Sequence, residues 1–145
     1  MLYTPAGGTR SPITTDELEA RNNYLAMRGG DVYRNAVGRM SEAARSVLER
    51  SDLTVDDVDL FVGHQANVRI INAVGKRLDM PSERIHVTVD KHANTSAASV
   101  PLALADARDA GRLSPGDTVL LAGFGAGFTW GACLMTWQPT VGVQA

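Results

Sequence analysis

The order of apolar and polar residues along the chain predicts alternating helices and strands after a turn-rich beginning. Apolar residues recur at helical spacing from Val32 to Leu48, with charged residues between them, which is typical of an amphipathic helix. Two more helices are predicted over residues 66–78 and 96–111. Short apolar runs predict strands over residues 24–27, 58–62, 85–89, 117–122 and 128–137. This alternation indicates an α/β fold, with a mixed, mainly parallel sheet covered by helices.

The beginning of the chain differs in composition from the rest. Gly, Pro, Ser and Thr are dense in residues 1–15, and these residue types favour turns over periodic elements. Thr14, followed three positions later by Glu17, predicts the cap of one short helix. We therefore expect residues 1–30 to form a loop or linker segment and residues 31–145 to form the domain.

The helix predicted over residues 96–111 lacks a polar face in its first half. From Thr95 to Ala105 every residue is small or apolar. A helix of this kind is usually buried on all sides, but a single sheet covers only one of them. It is either a tightly packed core helix within one domain or a helix covered by a second layer from another domain or subunit. The sequence leaves both possibilities open.

Charge and cysteine content exclude several classes of function. The chain has 145 residues, with 14 basic and 16 acidic side chains and a formal net charge of -2. It lacks the basic block that nucleic-acid-binding and membrane-surface proteins carry, so neither partner is expected. No apolar run approaches the length of a bilayer span, and a cytoplasmic location is expected. The single cysteine, Cys133, excludes an internal disulfide, and no metal site is predicted.

Three polar or glycine-rich segments follow predicted strands directly. His64 comes after the strand at 58–62, Asn94 after the strand at 85–89, and Gly125, Ala126 and Gly127 after the strand at 117–122. Because the carboxyl ends of parallel strands meet at one edge of a sheet, we expect these segments to lie together. Each has a structural explanation on its own: a histidine held by backbone, a helix cap and a tight turn. Together they predict a site whose donors stabilise charge on a carbonyl oxygen.

Two other chemistries are less well supported by the sequence. The glycines at 123, 125 and 127 do not indicate dinucleotide binding, because the residues that follow them predict a strand where the fingerprint requires a helix. Cys133 lies in an apolar strand, where a free thiol usually acts as a small buried hydrophobe. One hypothesis that remains open is that the chain is an autonomous enzyme with Cys133 as its nucleophile.

These motifs resemble the C-terminal half of β-ketoacyl-acyl carrier protein synthase III. The resemblance rests on His-Gln-Ala-Asn at 64–67, Asn-Thr-Ser-Ala-Ala-Ser at 94–99, and Gly-Phe-Gly-Ala-Gly at 123–127 followed by Thr-Trp-Gly at 129–131. It extends upstream to Ala-Gly-Gly-Thr-Arg at 6–10 and to the segment from Met27 into the helix at Val32. The family has a thiolase fold, built from two similar α/β halves. A second half would cover the helix that has no polar face.

The resemblance implies a role for each matching residue. His64 and Asn94 belong to a Cys-His-Asn triad and donate hydrogen bonds to the malonyl thioester oxygen. The backbone N–H of Ala126, in the loop of Gly125, Ala126 and Gly127, serves the oxyanion of the acyl intermediate. Asn67 would contact the pantetheine arm, and Met27 and Phe124 would line the approach to the cysteine. Arg69 would dock the acyl carrier protein.

The implied reaction is the decarboxylative Claisen condensation of an acyl thioester with malonyl-acyl carrier protein, in fatty acid or polyketide biosynthesis. No cofactor is implied, and acyl-CoA and malonyl-acyl carrier protein are the substrates. The nucleophilic cysteine belongs to the N-terminal half of the family, and no residue of this chain matches its motif. The implied partners are the acyl carrier protein, that N-terminal half, and a second copy in a homodimer. The alternative is a non-catalytic module or scaffold that binds the carrier protein.

Overall fold

The computed structural model describes residues 2–138. Its helices are α1 (Thr15–Glu19), α2 (Gly29–Glu49), α3 (Val68–Arg77), α4 (Val89–His92) and α5 (Ser99–Asp109). Its strands are β1 (Leu2–Tyr3), β2 (Ala26–Met27), β3 (Leu60–Gly63), β4 (Thr118–Gly125) and β5 (Thr129–Thr136). Short 3₁₀ turns occupy Val55–Asp57, Ser82–Arg84, Ser96–Ala98 and Ala126–Phe128.

The main sheet is mixed and has the strand order β3-β4-β5. β3 and β4 are parallel, with Leu60 opposite Val119, whereas β4 and β5 form an antiparallel hairpin that begins at Gly125 and Thr129. All four residues of β3 are buried, because helices cover both of its faces. The α/β fold class predicted from the sequence is confirmed.

Successive residues of β3 and β4 contribute to two separate cores, because side chains alternate across a strand. Phe61 and Leu120 belong to the larger core, which α2 and α3 complete with Met40, Ile71 and Val74. Residues of the opposite face form the smaller core beneath α5, and these are Leu60, Val62, Val119, Ala103 and Ala107.

The long helix α2 confirms the amphipathic pattern. Ala36, Met40, Ala44 and Leu48 are buried at intervals of one helical turn, so a single stripe faces the sheet. In α3, Ile71 and Val74 are likewise buried, while the exposed cations Lys76 and Arg77 lie in the last turn, where they complement the helix dipole.

The strand predicted over residues 85–89 is wrong. The chain makes only a parallel bridge between Phe61 and Ile85, and α4 begins at Val89. The buried side chain of Gln65 explains the interruption. It donates to the carbonyl of His86 over 3.2 Å and accepts from the N–H of Thr88 over 2.7 Å. These backbone groups are therefore satisfied without a neighbouring strand.

Among residues 2–138, only one side of α5 is covered. Ser99, Ala103 and Ala107 are buried and let the helix lie close to β3. Pro101 is exposed on the other side, and Leu102 keeps 40% of its surface exposed. Burial of the helix within a single domain, the first alternative above, is therefore wrong for this chain.

The segment of residues 2–30 contains little regular structure. β1 and β2 pair in an antiparallel ribbon, and Thr14 caps α1 by accepting the N–H of Glu17, as predicted. The division of the chain into a segment of residues 1–30 and a domain of residues 31–145 remains a prediction. The last seven residues of that domain, 139–145, lie outside the residues that the structure describes. Within residues 2–138, no helix combines the length and apolarity that crossing a bilayer requires.

Candidate functional site

His64 occupies the first position after β3. Its backbone N–H donates to the carbonyl of Ala122 over 2.8 Å, which extends the ladder between β3 and β4 by one residue. Its side chain is half-buried, and this burial lowers the pKa of the imidazole below its ordinary value of 6.5. His64 is therefore neutral near pH 7.

One cavity brings together most of the residues predicted for the site. It has a volume of about 280 Å³ and is lined by Val32, His64, Asn94, Ser96, Phe124, Gly125, Ala126 and Phe128. None of these side chains is charged. Three segments that are far apart in the sequence therefore meet at one place, as the position of each after a strand or bridge predicts.

A second cavity adjoins the first and reaches α5. Its volume is about 320 Å³, and it shares His64, Ser96, Phe124 and Gly125 with the first. Ala97, Ser99 and Val100 form its other wall. His64 is consequently accessible both from the cavity that contains Asn94 and from the uncovered side of α5.

Asn94 is held by its own loop. Its side-chain oxygen accepts the N–H of Ser96 over 3.0 Å, which leaves the amide NH₂ as the group available to a ligand. The residues beside it have unusual backbone angles, since φ is +55° at both Ala93 and Ser96. Such angles are uncommon for residues with a side chain and are concentrated at functional sites.

The loop of Gly125, Ala126 and Gly127 forms the tight turn between β4 and β5. Gly127 has φ +74°, which glycine adopts without steric cost, and Phe128 has φ +51°. The rings of Phe124 and Phe128 lie 5.2 Å apart across the turn. A strand follows at once, so the helix that a dinucleotide fingerprint needs is not present after these glycines.

Gln65 connects the His64 loop with the segment that leads to Asn94. Its side chain is 1% exposed and makes three hydrogen bonds, of which one goes from Nε2 to the carbonyl of Gly63 over 2.8 Å. The other two join His86 and Thr88. A buried amide with these partners holds the two loops in one arrangement.

Four residues predicted for the site lie outside the two cavities, and one of them, Gly127, belongs to the turn already described. The other three are exposed. Asn67 is exposed and caps α3, since its Oδ1 accepts the N–H of Arg69 over 2.9 Å. Arg69 is exposed in the first turn of α3, and Met27 is 61% exposed on β2. None of the three lines either cavity that contains His64.

Cys133 is exposed, so the expectation that it is a buried hydrophobe is wrong. It faces a shallow depression with Val100 of α5, Leu121 and Ala132. That depression has no basic residue, and Cys133 does not line the cavities that contain His64. In residues 2–138, no group of three or more His, Cys, Asp or Glu side chains is placed to hold a metal ion.

The sequence analysis missed Ser99 as a part of the site. Its hydroxyl oxygen lies 2.5 Å from Nδ1 of His64, although 35 positions separate the two residues. The serine belongs to the motif at 94–99, but its contact with His64 depends on how α5 packs on β3. Val32 and Phe128 were missed for the same reason.

Comparison with known proteins identifies the family. The model of the 3-oxoacyl-[acyl-carrier-protein] synthase III C-terminal domain matches residues 48–137. A β-ketoacyl-[acyl-carrier-protein] synthase III of Nitratidesulfovibrio vulgaris (Miyazaki F) is 52% identical over 134 residues, which are 92% of this chain and 41% of that protein. Its counterpart in Clostridioides difficile is 43% identical and covers 94% of this chain and 42% of that protein.

Solved structures give the same result. The 3-oxoacyl-(acyl carrier protein) synthase III of Pseudomonas aeruginosa PAO1 matches with a TM-score of 0.83 at 39% identity, over 96% of this chain and 42% of that chain. The priming β-ketosynthase of the R1128 polyketide pathway matches with a TM-score of 0.73 at 38% identity, over 86% of this chain and 39% of that chain. The thiolase-like fold predicted from the motifs is confirmed, over about two fifths of each relative's length. The chain therefore belongs to the 3-oxoacyl-[acyl-carrier-protein] synthase III family and corresponds to its C-terminal domain.

Proposed function

We propose that this chain supplies the decarboxylation site of a ketoacyl synthase III. The supporting observation is that His64, Asn94, Gly125 and Ala126 line one cavity that has no charged side chain in its lining. The complete reaction joins an acyl group, carried as a thioester on a cysteine, to malonyl-acyl carrier protein. It yields a β-ketoacyl-acyl carrier protein and CO₂, and it regenerates the cysteine thiol.

His64 and Asn94 are the catalytic donors in this proposal. Loss of CO₂ from the malonyl group leaves an electron pair that is delocalised onto the thioester oxygen as an enolate. The imidazole N–H and the amide N–H of these residues bind that oxygen as its negative charge develops. The cavity lining has no charged side chain that would compete with these two donors for the oxygen.

The carbanion then attacks the acyl carbonyl held by the cysteine. The backbone N–H of Ala126 binds the resulting oxyanion, and the turn at Gly127 fixes its direction. The cysteine comes from the N-terminal half, which we propose packs on the uncovered side of α5 and reaches His64 through the second cavity. Leu102 and Cys133 would be covered by the same contact.

The exposed residues outside the cavity fit the binding of the substrate's carrier. Arg69, Lys76 and Arg77 are exposed cations on α3, which contains no acidic residue, and this charge suits an acidic carrier protein. Asn67, beside Arg69, would contact the pantetheine arm, with Met27 and Phe124 along its approach. This arrangement agrees with a route from the docking helix to the cavity.

Complementation tests the proposed activity. The chain is combined with a separately produced N-terminal half of the Nitratidesulfovibrio vulgaris relative, and malonyl decarboxylation and condensation are measured. Activity should appear with the unmodified chain and fall about 10²- to 10³-fold in His64→Ala and in Asn94→Ala, as on loss of an oxyanion donor. The matched control, His92→Ala, removes an exposed histidine outside both cavities and should remain active. Absence of activity above the His64→Ala level contradicts the proposal.

The same cationic helix favours a second candidate, a non-catalytic module that binds the carrier protein. Titration with an acyl carrier protein separates the two roles, because only docking depends on Arg69. Arg69→Ala should weaken binding of the carrier protein whether the chain is catalytic or not. Only if the chain is catalytic should His64→Ala also lower the activity of the complemented enzyme. Unchanged affinity in Arg69→Ala argues against docking on α3 altogether.

A further inference from the structure

Ser99 places a hydroxyl group against the catalytic histidine of the proposed function. It is the first residue of α5 and is 1% exposed. Its Oγ lies 2.5 Å from Nδ1 of His64 and also accepts the backbone N–H of Gln65 over 3.2 Å. The hydroxyl therefore lies between two groups of the loop that follows β3.

The hydrogen-bond donors and acceptors around this hydroxyl determine where its proton points. The N–H of Gln65 can only donate, so Ser99 Oγ is the acceptor in that bond. The serine proton then needs an acceptor of its own, because a buried hydroxyl left without one is costly. Nδ1 of His64 is the one acceptor that the described structure places within hydrogen-bond distance of it.

A neutral imidazole that accepts at Nδ1 carries its proton on Nε2. A carboxylate at the position of Ser99 would have the opposite effect, since it would accept a hydrogen bond from Nδ1–H and leave Nε2 without a proton, as a base. A serine hydroxyl that donates makes Nε2 a donor, which is the role that enolate stabilisation requires. No charged side chain lines the cavity around His64, so no carboxylate there favours the opposite tautomer.

We propose that Ser99 is a positioning residue that holds His64 in the Nε2–H tautomer and directs that N–H into the cavity. The inference rests on the proposed function for its role in catalysis, but the tautomer itself is a property of the chain. Gln65 supports the arrangement, because its buried amide fixes the loop that offers the second hydrogen bond to Ser99. Burial also lowers the pKa of His64, so the neutral imidazole is the form present near pH 7.

Nitrogen NMR of the ¹⁵N-histidine-labelled chain tests the tautomer directly. His64 is assigned by the loss of its signals in His64→Asn. In the unmodified chain at neutral pH, Nδ1 should give the shift of an acceptor and Nε2 that of a protonated nitrogen. In Ser99→Ala, the preference for Nε2–H should be lost, and the pKa of His64 should rise because a hydrogen bond to its neutral form is gone.

Ser41→Ala is the matched control. Ser41 is also 1% exposed in a helix, and its hydroxyl donates to the carbonyl of Val37 over 2.8 Å. Both variants lose one buried hydroxyl, so both should lower the free energy of unfolding to a similar extent. Only Ser99→Ala should change the His64 signals. A protonated Nδ1 in the unmodified chain, or unchanged signals in Ser99→Ala, overturns the inference.

A kinetic measurement separates this inference from the proposed function. In the complemented enzyme, Ser99→Ala should lower malonyl decarboxylation about 10²-fold with little change in KM, since donation to the transition state is weakened. If the complemented enzyme is inactive but the NMR result holds, the proposed function fails and the positioning of His64 stands. If the enzyme is active and Ser99→Ala matches Ser41→Ala in both the His64 NMR signals and the rate, the inference about Ser99 fails and the proposed function stands.

Discussion

Gly75 shows how closely two elements can approach when a side chain is absent. It is buried in α3, where a Cβ would lie 2.2 Å from Cδ1 of Ile85. Because that atom belongs to a buried side chain in the larger core, it has little room to move. Helix α3 can therefore pack on the bridge segment at Ile85 only with glycine at this position.

We predict that Gly75→Ala lowers the free energy of unfolding by about 1–3 kcal/mol through overpacking. Gly38→Ala is the control, since a Cβ there meets no atom within 4 Å and should stabilise α2 by about 0.5–1 kcal/mol. Ile85→Val removes Cδ1 and should recover part of the loss in the double variant. Urea unfolding measures all three, and equal effects of the two glycine substitutions would contradict the prediction.

Ala93 is strained by the loop that presents Asn94. Its backbone angles, φ +55° and ψ −160°, lie close to a region that is accessible essentially to glycine alone. The alanine therefore raises the energy of the loop without contributing a contact that the geometry requires.

We predict that Ala93→Gly raises the free energy of unfolding by about 1 kcal/mol, since relief of strain exceeds the entropy that glycine adds to the unfolded chain. Thermal unfolding provides the measurement. The matched control is Ala97→Gly, at an exposed position in the 3₁₀ turn Ser96–Ala98, which should be destabilising. A loss of stability in Ala93→Gly would show that the loop is not strained.

At the scale of elements, a polar network ties α5 to the bridge segment and α4. His86 is 4% exposed, its Nε2 lies 3.0 Å from Asp106, and Nη1 of Arg112 donates to its Nδ1 over 3.1 Å. Lys91 forms an ion pair with the same Asp106. Burial and then the Arg112 cation lower the pKa of His86, although Asp106 opposes them. The folded chain therefore keeps His86 neutral.

These lowered values predict a dependence of stability on pH. His64 and His86 both have a folded pKa below the ordinary 6.5, so the unfolded chain binds more protons as the pH falls past that value. The free energy of unfolding should therefore decrease between about pH 7.5 and pH 5. The carboxyl groups with lowered pKa, Asp57, Asp106 and Asp109, act mainly at lower pH, around and below their ordinary pKa of 3.8.

Urea unfolding at several pH values between about 5 and 7.5 measures how steeply the free energy of unfolding changes with pH. His64→Asn removes one of the two groups and should reduce the slope, whereas His92→Asn should leave the contribution of both groups in place. If stability were constant or increased on acidification through this range, the histidines would have to be protonated in the folded chain.

At the scale of the whole molecule, one face is complete and the other is open. The core between the sheet and the pair α2 and α3 is closed, whereas α5 exposes Leu102 and the adjoining surface of β5 exposes Cys133. An open apolar face next to a predicted site indicates an interaction surface. The N-terminal half is the partner that the proposed function assigns to it.

We predict that Cys133 reports on this contact, since it is the single cysteine of the chain. Iodoacetamide should label it readily in the chain alone and slowly once the N-terminal half is added, because a covered thiol is inaccessible. Mass spectrometry of the chain's own peptides follows the label, which keeps the partner's cysteine separate. An unchanged rate in the complex would place the partner elsewhere.

Much of the fold could be predicted because it depends on local patterns. The spacing in α2, the apolar runs of β3 and β4, and the cap at Thr14 are each set by residues within a few positions of one another. The same holds for the site's main parts. His64 and the glycine loop are predictable as candidates because each follows a strand, and the ends of parallel strands converge. The prediction for Asn94 rests on a strand over residues 85–89 that the structure replaces with a bridge at Ile85 and helix α4, yet Asn94 lines the same cavity as His64.

The amino-acid sequence by itself thus determined the α/β class and the principal elements, and it predicted the three segments of the candidate site. Only the tertiary structure decided that Ile85 makes a single bridge where a strand over residues 85–89 was expected, because Gln65 takes the hydrogen bonds of a backbone more than 20 positions away. It also decided that Cys133 is exposed and that Ser99 meets His64. These features arise where elements pack together, and no local pattern of residues encodes which side chains meet across that distance.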